Sequence, residues 1–273
     1  MISDSLVRRL EQQAATIRRH VVEVGAEHLC HIGGALSAAD VLTALYFHVM
    51  RIDPTDPGRR DRDYFILSKG HGVLALYAAL AERGFFPVET LKTFEQAGSV
   101  LAAHPTLHAP GVEIATGSLG HGLPVGIGIA IACRVEGASN RVFVMMGDGE
   151  MQEGSVWEAA LSAPRFELEN LVAIVDQNRF QAFGAVEHIV PVDPLADKWR
   201  SFRWSVIEID GHDMRQVVEA LERPPEAGRP TAIIAQTAKG KGVPCLENSP
   251  RAHFTRLTPE EAAEALQALG VTS

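Results

Sequence analysis

The stretch Arg141–Gly184, RVFVMMGDGEMQEGSVWEAALSAPRFELENLVAIVDQNRFQAFG, decides the fold. It opens on Val142-Phe143-Val144-Met145-Met146, an apolar run too short and too β-branched for a helix and without polar alternation. A strand covered on both faces of a parallel sheet reads this way. Gly147-Asp148-Gly149 and an acidic, glycine-bearing turn follow, then a predicted helix through Trp157, Ala160 and Leu161 that Pro164 closes. A second apolar run, Leu171-Val172-Ala173-Ile174-Val175, leads into Asp176-Gln177-Asn178. This is a βαβ unit, and its right-handed crossover brings both strand ends to one edge of the sheet. Open α/β sheets bind ligands in the crevice outside that edge. Asp148 and Asn178 then offer oxygens to one point in space, and the flanking glycines let main-chain N–H groups approach an anion. One carboxylate and one amide leave most of an octahedral shell free, which suits Mg²⁺ completed by phosphate and water. The residues point to a Mg²⁺–diphosphate site; their plainer reading is a tight Gly-Asp-Gly turn with an ordinary Asn cap.

The totals bound the class. A chain of 273 residues, 46% hydrophobic and 22% charged, describes a globular protein with a sizeable core. A formal net charge of −9 argues against nucleic acid, whose binding relies on clustered Lys and Arg. Cys30, Cys133 and Cys245 lie far apart and form no CxxC, so neither a disulfide framework nor a zinc site is expected. The N-terminus lacks a basic-then-apolar signal pattern and no apolar run approaches membrane-spanning length, which predicts a cytoplasmic protein.

Taken in order, Leu6, Leu10, Ala14, Ile17, Val21 and Val24 mark an amphipathic first helix. Cys30-His31-Ile32-Gly33-Gly34 interrupts it, and Ser37-Ala38-Ala39-Asp40, of capping-box form, is expected to start a second helix. Tyr64–Leu67 reads as a strand, followed by Ser68-Lys69-Gly70-His71-Gly72 and a helix from Val73 to Ala81. Strand, glycine turn and helix make the geometry that aims N–H groups at phosphate. Ala103-His104-Pro105 follows, then a second glycine turn, Thr116–Gly122, running into a small-residue helix over Gly126–Cys133. Val186–Lys198, with Pro191 and Pro194, reads as a surface loop. A strand over Trp204–Ile209 ends at Asp210-Gly211-His212-Asp213, whose last two residues are expected to cap a helix beginning near Met214. Thr231–Gln236 is a further strand, with Lys239-Gly240-Lys241-Gly242 at its carboxyl end, and Thr258-Pro259 starts a C-terminal helix. Strands alternating with helices predict an α/β fold, a doubly wound parallel sheet flanked by helices, as one domain over residues 1–273.

Gly-Asp-Gly followed roughly thirty residues on by an Asn that ends a second strand resembles the signature of thiamine-diphosphate enzymes. The details, Gly147-Asp148-Gly149-Glu150-Met151-Gln152-Glu153-Gly154 and Val175-Asp176-Gln177-Asn178, resemble the transketolase family. The resemblance extends to His31-Ile32-Gly33-Gly34, to Leu67-Ser68-Lys69-Gly70-His71-Gly72 and to the turn at Gly117. It implies the diphosphate-binding domain of the thiamine-diphosphate-binding fold. By the same resemblance Asp148, Asn178 and the main-chain oxygen of Phe180 hold Mg²⁺, or another divalent cation such as Ca²⁺ or Mn²⁺. Thiamine diphosphate is expected to meet His71, Gly117, Leu119, Gly147, Asp148, Gly149, Glu150, Asn178 and His253. His31, His71, His104 and His253 are the expected acid–base groups facing the sugar, a task that suits a side chain titrating near neutrality. Glu153 is expected at a subunit contact that links active sites.

The chain departs from the family at four places: Gln177 replaces Asn, Cys30 a small residue, His121 a Gln, and Ala252-His253-Phe254 a Trp-His-Gly. Single-chain transketolases continue into a pyrimidine-binding domain, so the resemblance is to the N-terminal subunit of a split, two-polypeptide transketolase. Such a subunit is inactive alone and works with a C-terminal partner, as a heterotetramer with two copies of each chain. The expected reaction moves a two-carbon ketol unit from a ketose to an aldose or aldehyde acceptor. Competing readings are a diverged biosynthetic thiamine enzyme, a 2-oxo acid dehydrogenase α subunit, which the histidines disfavour, and a scaffold that has lost chemistry, which the metal ligands disfavour.

Overall fold

The computed structural model describes residues 2–270. Five strands, β1 (Tyr64–Leu67), β2 (Val142–Gly147), β3 (Leu171–Gln177), β6 (Ser205–Asp210) and β7 (Thr231–Gln236), form one sheet in the order β1-β2-β3-β7-β6. Every pairing in it is parallel. A two-residue hairpin, β4 (Phe180–Gln181) with β5 (Gly184–Ala185), stands apart. Alternate residues of each strand enter two separate cores. Phe65, Leu67, Phe143, Met145, Ile174, Ile233 and Ala235 pack with helices α1 (Asp4–Glu27), α2 (Ile32–Ala44), α3 (Val73–Arg83), α8 (Met214–Glu222) and α9 (Pro259–Ala268). Ile66, Val142, Val144, Met146, Ala173, Val175 and Ile234 pack with α4 (Gly122–Val135), α5 (Gly154–Ser162) and α7 (Leu195–Ser201). Helices cover both faces, and α8 lies opposite α5 and α7 because the chain runs back from edge strand β6 to β7. The sheet is doubly wound, as its apolar runs predict.

Three expectations need correction. The second helix starts at Ile32, not at Ser37, so Ser37 is a fully buried interior residue whose hydroxyl donates to Asp176. The two glycines continue the helix instead of breaking it, because its start is pressed against the segment before His253. A Cβ on Gly33 would lie 2.5 Å from the Ala252 carbonyl oxygen. Residues 186–198 are not all loop: α6 (Val186–Ile189) and the start of α7 lie there. Leu195 and Trp199, four apart, bury one face of α7, while Pro194 sits at its N-cap, where no helical N–H is missed. Lastly, α2 and its π-helical continuation Leu45–Val49 make an apolar helical stretch long enough to cross a membrane by length and composition. It is the central helix of the larger core, 89% buried in the fold.

Candidate active site

The carboxyl ends of β1, β2, β3 and β7 border a cavity of about 240 Å³. It gathers His31, His71, His104, His253, Gly117, Leu119, Gly147, Asp148, Gly149, Glu150, Asn178 and Phe180, each an expected site residue. Glu153 is not among them: it is the exposed N-cap of α5, with its Cβ against Gly120. His121 is exposed outside the cavity, and Cys30 is buried beneath the mouth without lining it. Burial, then the charge of Glu95, pushes the Cys30 thiol up to about 12, so it is unreactive. A larger cavity of about 690 Å³ beside α1 and α9, lined by Arg19, His20, Glu23 and His28 among others, shares no lining residue with the smaller one.

One wall is a cluster of four imidazoles. Ring centroids lie 5.4 Å apart for His31–His71, 5.1 Å for His31–His253, 5.5 Å for His71–His253 and 6.0 Å for His31–His104. Burial, then the neighbouring His104 and Lys239, lowers His31 to about 4. Burial, then Lys239, lowers His253 to about 3, and burial with Lys69 holds His71 well below its ordinary value. These three rings are neutral at pH 7, each with one N–H donor and one acceptor nitrogen. The altered Ala252-His253-Phe254 segment keeps an aromatic neighbour by another route. The half-exposed Phe254 ring packs on His31 at 4.6 Å. Main-chain bonds in both directions tie Cys30 to Thr255, at 3.1 and 3.0 Å, which fixes His31 beside His253.

Two buried cations whose motifs drew no assigned role adjoin this wall. Lys69 and Lys239 are 1% and 2% exposed, in the glycine turns that follow β1 and β7. Their signal in the sequence is a lysine inside a glycine turn at the carboxyl end of a strand. Lys69 Nζ donates to the Gly34 carbonyl at 2.9 Å and to Asp176. Lys239 Nζ donates to the Phe180 carbonyl at 2.9 Å and lies 3.1 Å from His253 Nδ1. Burial, then Lys69, lowers Lys239 to about 8. Beneath both, fully buried Asp176 accepts from Lys69, Ser37, Thr237 and Asn178. Burial alone would raise its carboxyl, but the Lys69 charge and the hydrogen bonds from Lys69, Thr237 and Ser37 together lower it and hold it ionised.

The residues present fit a hard divalent cation. Asp148, 2% exposed, accepts from Gly149 N at 2.8 Å and from Arg179 N. Burial, then repulsion from Asp176, raises its pKa to about 7. Asn178 turns Nδ2 to Asp176 at 2.9 Å, which fixes its amide and leaves Oδ1 accepting from Phe180 N at 3.1 Å. The donor set of carboxylate, amide and main-chain oxygen selects an oxygen-seeking cation over a soft one. Gln181 Nε2, buried beside Gly149 with no partner among the described residues, adds a free donor to the same wall. Because a proton competes for Asp148, cation affinity is expected to rise about tenfold per pH unit up to 7 and then level off. Mg²⁺ titration calorimetry between pH 5.5 and 8.5 checks this, and a flat profile would place the cation elsewhere.

Glu150 has a structural task. Its buried carboxylate accepts from Ser68 Oγ, from Gly120 N at 2.8 Å and from Gly147 N at 3.2 Å. It thereby ties both glycine turns to the end of β2. Those turns also abut directly: a Cβ on Gly70 would lie 2.7 Å from Thr116 Oγ1 and 2.9 Å from Gly117 N.

A family described as "Transketolase, thiamine diphosphate binding domain" matches residues 10–273, nearly the whole chain. The chain belongs to the transketolase family. It is 41% identical over 263 residues to one subunit of the apulose-4-phosphate transketolase of Phocaeicola vulgatus, covering 96% of this chain and 94% of that one. It is 43% identical over 254 residues to 6-deoxy-6-sulfo-D-fructose transketolase subunit SqwG of Clostridium sp. MSTE9, covering 92% of each. Among solved structures, the Campylobacter jejuni transketolase superposes with a TM-score of 0.89 at 30% identity, covering 97% of this chain and 43% of that one. The Leishmania mexicana transketolase gives 0.89 at 28% identity, covering 99% and 42%. The chain thus spans about two fifths of the solved transketolases and nearly all of the curated relatives named as subunits. It is a thiamine diphosphate-dependent transketolase subunit of the N-terminal kind.

Proposed function

We propose that this chain anchors the diphosphate of thiamine diphosphate, with a divalent cation, for a two-carbon ketol transfer from a ketose to an aldose or aldehyde. The observation that carries the reading is one cavity lined by oxygen ligands, two buried lysines and a cluster of neutral imidazoles. Asp148, Asn178 and the Phe180 carbonyl would hold the cation, and Lys69, Lys239, Gln181 and the main chain of Gly147–Gly149 would face the phosphates. Lys239 donates to the Phe180 oxygen, so a cation held there would compete with the ammonium for it and would leave the ammonium to face phosphate. The cofactor, when bound, supplies the carbanion that breaks and makes the carbon–carbon bonds. His31, His71, His104 and His253, three of them held neutral, are placed to move protons at the substrate's carbonyl and hydroxyl oxygens. Glu153, exposed at the start of α5, belongs on this reading to a contact with another subunit.

The names of the two bacterial relatives, both subunits, support a partner chain; on this proposal it carries the pyrimidine-binding domain, in a heterotetramer with two copies of each. Those names also support a ketose with an anionic far end as donor. The test is calorimetry of thiamine diphosphate with the chain and with its co-purified partner, with and without Mg²⁺. Mg²⁺-dependent binding that Asp148→Ala removes is the expected result; absence of binding in both preparations would leave a scaffold.

A further inference from the structure

His212 does not cap α8; its neighbour Asp213 does that alone, accepting from Arg215 N and Gln216 N. The ring reaches instead into the turn that carries Lys239. Ala238 N donates to His212 Nε2 at 2.8 Å, and His212 Nδ1 meets Asp40 Oδ2 at 2.7 Å. A main-chain N–H only donates, so Nε2 is the acceptor and the ring's proton sits on Nδ1, donated to Asp40. Asp40, 6% exposed on α2, is held in turn by both terminal nitrogens of buried Arg18 on α1. Arg18 also walls the far end of the same turn, its Cδ 3.3 Å from where a Cβ on Gly242 would be. Gly211, just before His212, presses on the side chain of Thr237, where a Cβ would come within 2.5 Å of Cγ2. The near end is thus held by a bond and the far end by contact, while Gly240 N donates to Gly33 O at 3.1 Å between them.

We infer that Arg18, Asp40 and His212 form a positioning relay that holds the Ala238–Gly242 turn, and with it the Lys239 ammonium, at the diphosphate end of the cavity. The relay rests on the reading of Lys239 as a diphosphate contact. None of its three members lines the cavity, so its action passes through the turn. His212→Phe removes the acceptor for Ala238 N and leaves Asp40 with Arg18 alone, whereas His212→Gln keeps an acceptor and a donor.

Two readouts test the relay. Hydrogen exchange of the peptide spanning residues 237–243 in the cofactor-free chain is expected to speed up about tenfold in His212→Phe, with β2 and β3 unchanged and His212→Gln intermediate. Thiamine diphosphate binding in Mg²⁺ is expected to weaken about tenfold in His212→Phe and by no further factor when Lys239→Met is already present. Unchanged exchange in the turn, or losses that multiply in the double variant, would overturn the relay. Should His212→Phe not fold, His212→Gln gives the same two comparisons with smaller factors. If Lys239→Met alone leaves binding intact, the diphosphate reading of Lys239 fails, and faster exchange would retain only the anchoring of the turn.

Discussion

Asp148→Asn is expected to abolish Mg²⁺-dependent thiamine diphosphate binding and, in the same protein, to raise the melting temperature of the ligand-free chain. The first effect follows from removing the only carboxylate among the proposed cation ligands. Loss of a group that merely supports a metal ligand typically costs ten- to a hundredfold in affinity, so loss of the ligand itself costs at least about a hundredfold. The second follows from the buried, repelled state of the carboxyl. Its pKa is about 7 in the fold against an ordinary 3.8. Between those pH values the folded chain holds a proton that the unfolded chain releases, so stability falls as pH rises through that window. At pH 8 the cost approaches ~4 kcal/mol. An asparagine escapes it but keeps one acceptor oxygen for two main-chain donors, which returns ~1–3 kcal/mol of the gain. The net is a rise of a few degrees in thermal denaturation at pH 8, vanishing near pH 4. Wild-type cofactor affinity in this variant would remove Asp148 from the cation site. Lost binding with a lowered melting temperature would show that the carboxylate is better solvated than the structure places it.

Asp176→Ala is expected to be the most destabilising single change at the site. Its carboxylate is the sole charge partner of Lys69 among the described residues, and Lys69 is 1% exposed. The same carboxylate also receives Ser37 Oγ at 2.7 Å, Asn178 Nδ2 and Thr237 Oγ1. Removing it strands a buried ammonium and three donors, and breaking such a pair from one side costs about 3–5 kcal/mol. In a chain of this size that lowers the melting temperature by roughly 10 °C. Asp176→Ala combined with Lys69→Met is expected to recover only the part of the loss due to the stranded ammonium, because Ser37, Asn178 and Thr237 still lack their acceptor. Cofactor binding is not expected to return with it, since Asn178 has lost the partner that orients its amide. Thermal denaturation and calorimetry on the two variants decide this. A single variant within about 1 kcal/mol of wild type would mean that water reaches Lys69.

The sheet was legible because its strands are covered on both faces. Val142–Met146 and Leu171–Val175 have no polar interruption, and the structure pairs them residue by residue, Val142 with Leu171 through Met146 with Val175. Asp148, His71 and His31 were legible because each sits in or beside a glycine-bearing turn at a strand end or just before a helix, and Asn178 because it follows the second apolar run. Phe180, His104 and His253 were singled out by the family resemblance. Long-range tasks were not. Ser37 looks like a helix cap because its bond to Asp176, far along the chain, leaves no local pattern. His212 looks like part of a cap because Asp213 is one. Lys69 and Lys239 look like surface lysines until the folded turns bury them. The start of α7 hid behind Pro194, whose neighbours read as a loop until Leu195 and Trp199 are seen on one buried face.

The bridge between Cys30 and Thr255 bears on how the protein is made. A ribosome delivers His31 before the sheet and His253 after it, since the strands run from Tyr64 to Gln236. All five strands of the sheet, and with them the proposed cation ligands at its edge, thus precede His253 in the chain. Only when the segment around Ala252 lies against the first turn of α2, with Ala252 against Gly33, do these two regions meet. The histidine cluster is in this sense assembled from both sides of the sheet, since His253 meets His31 and His71 only once its segment has docked.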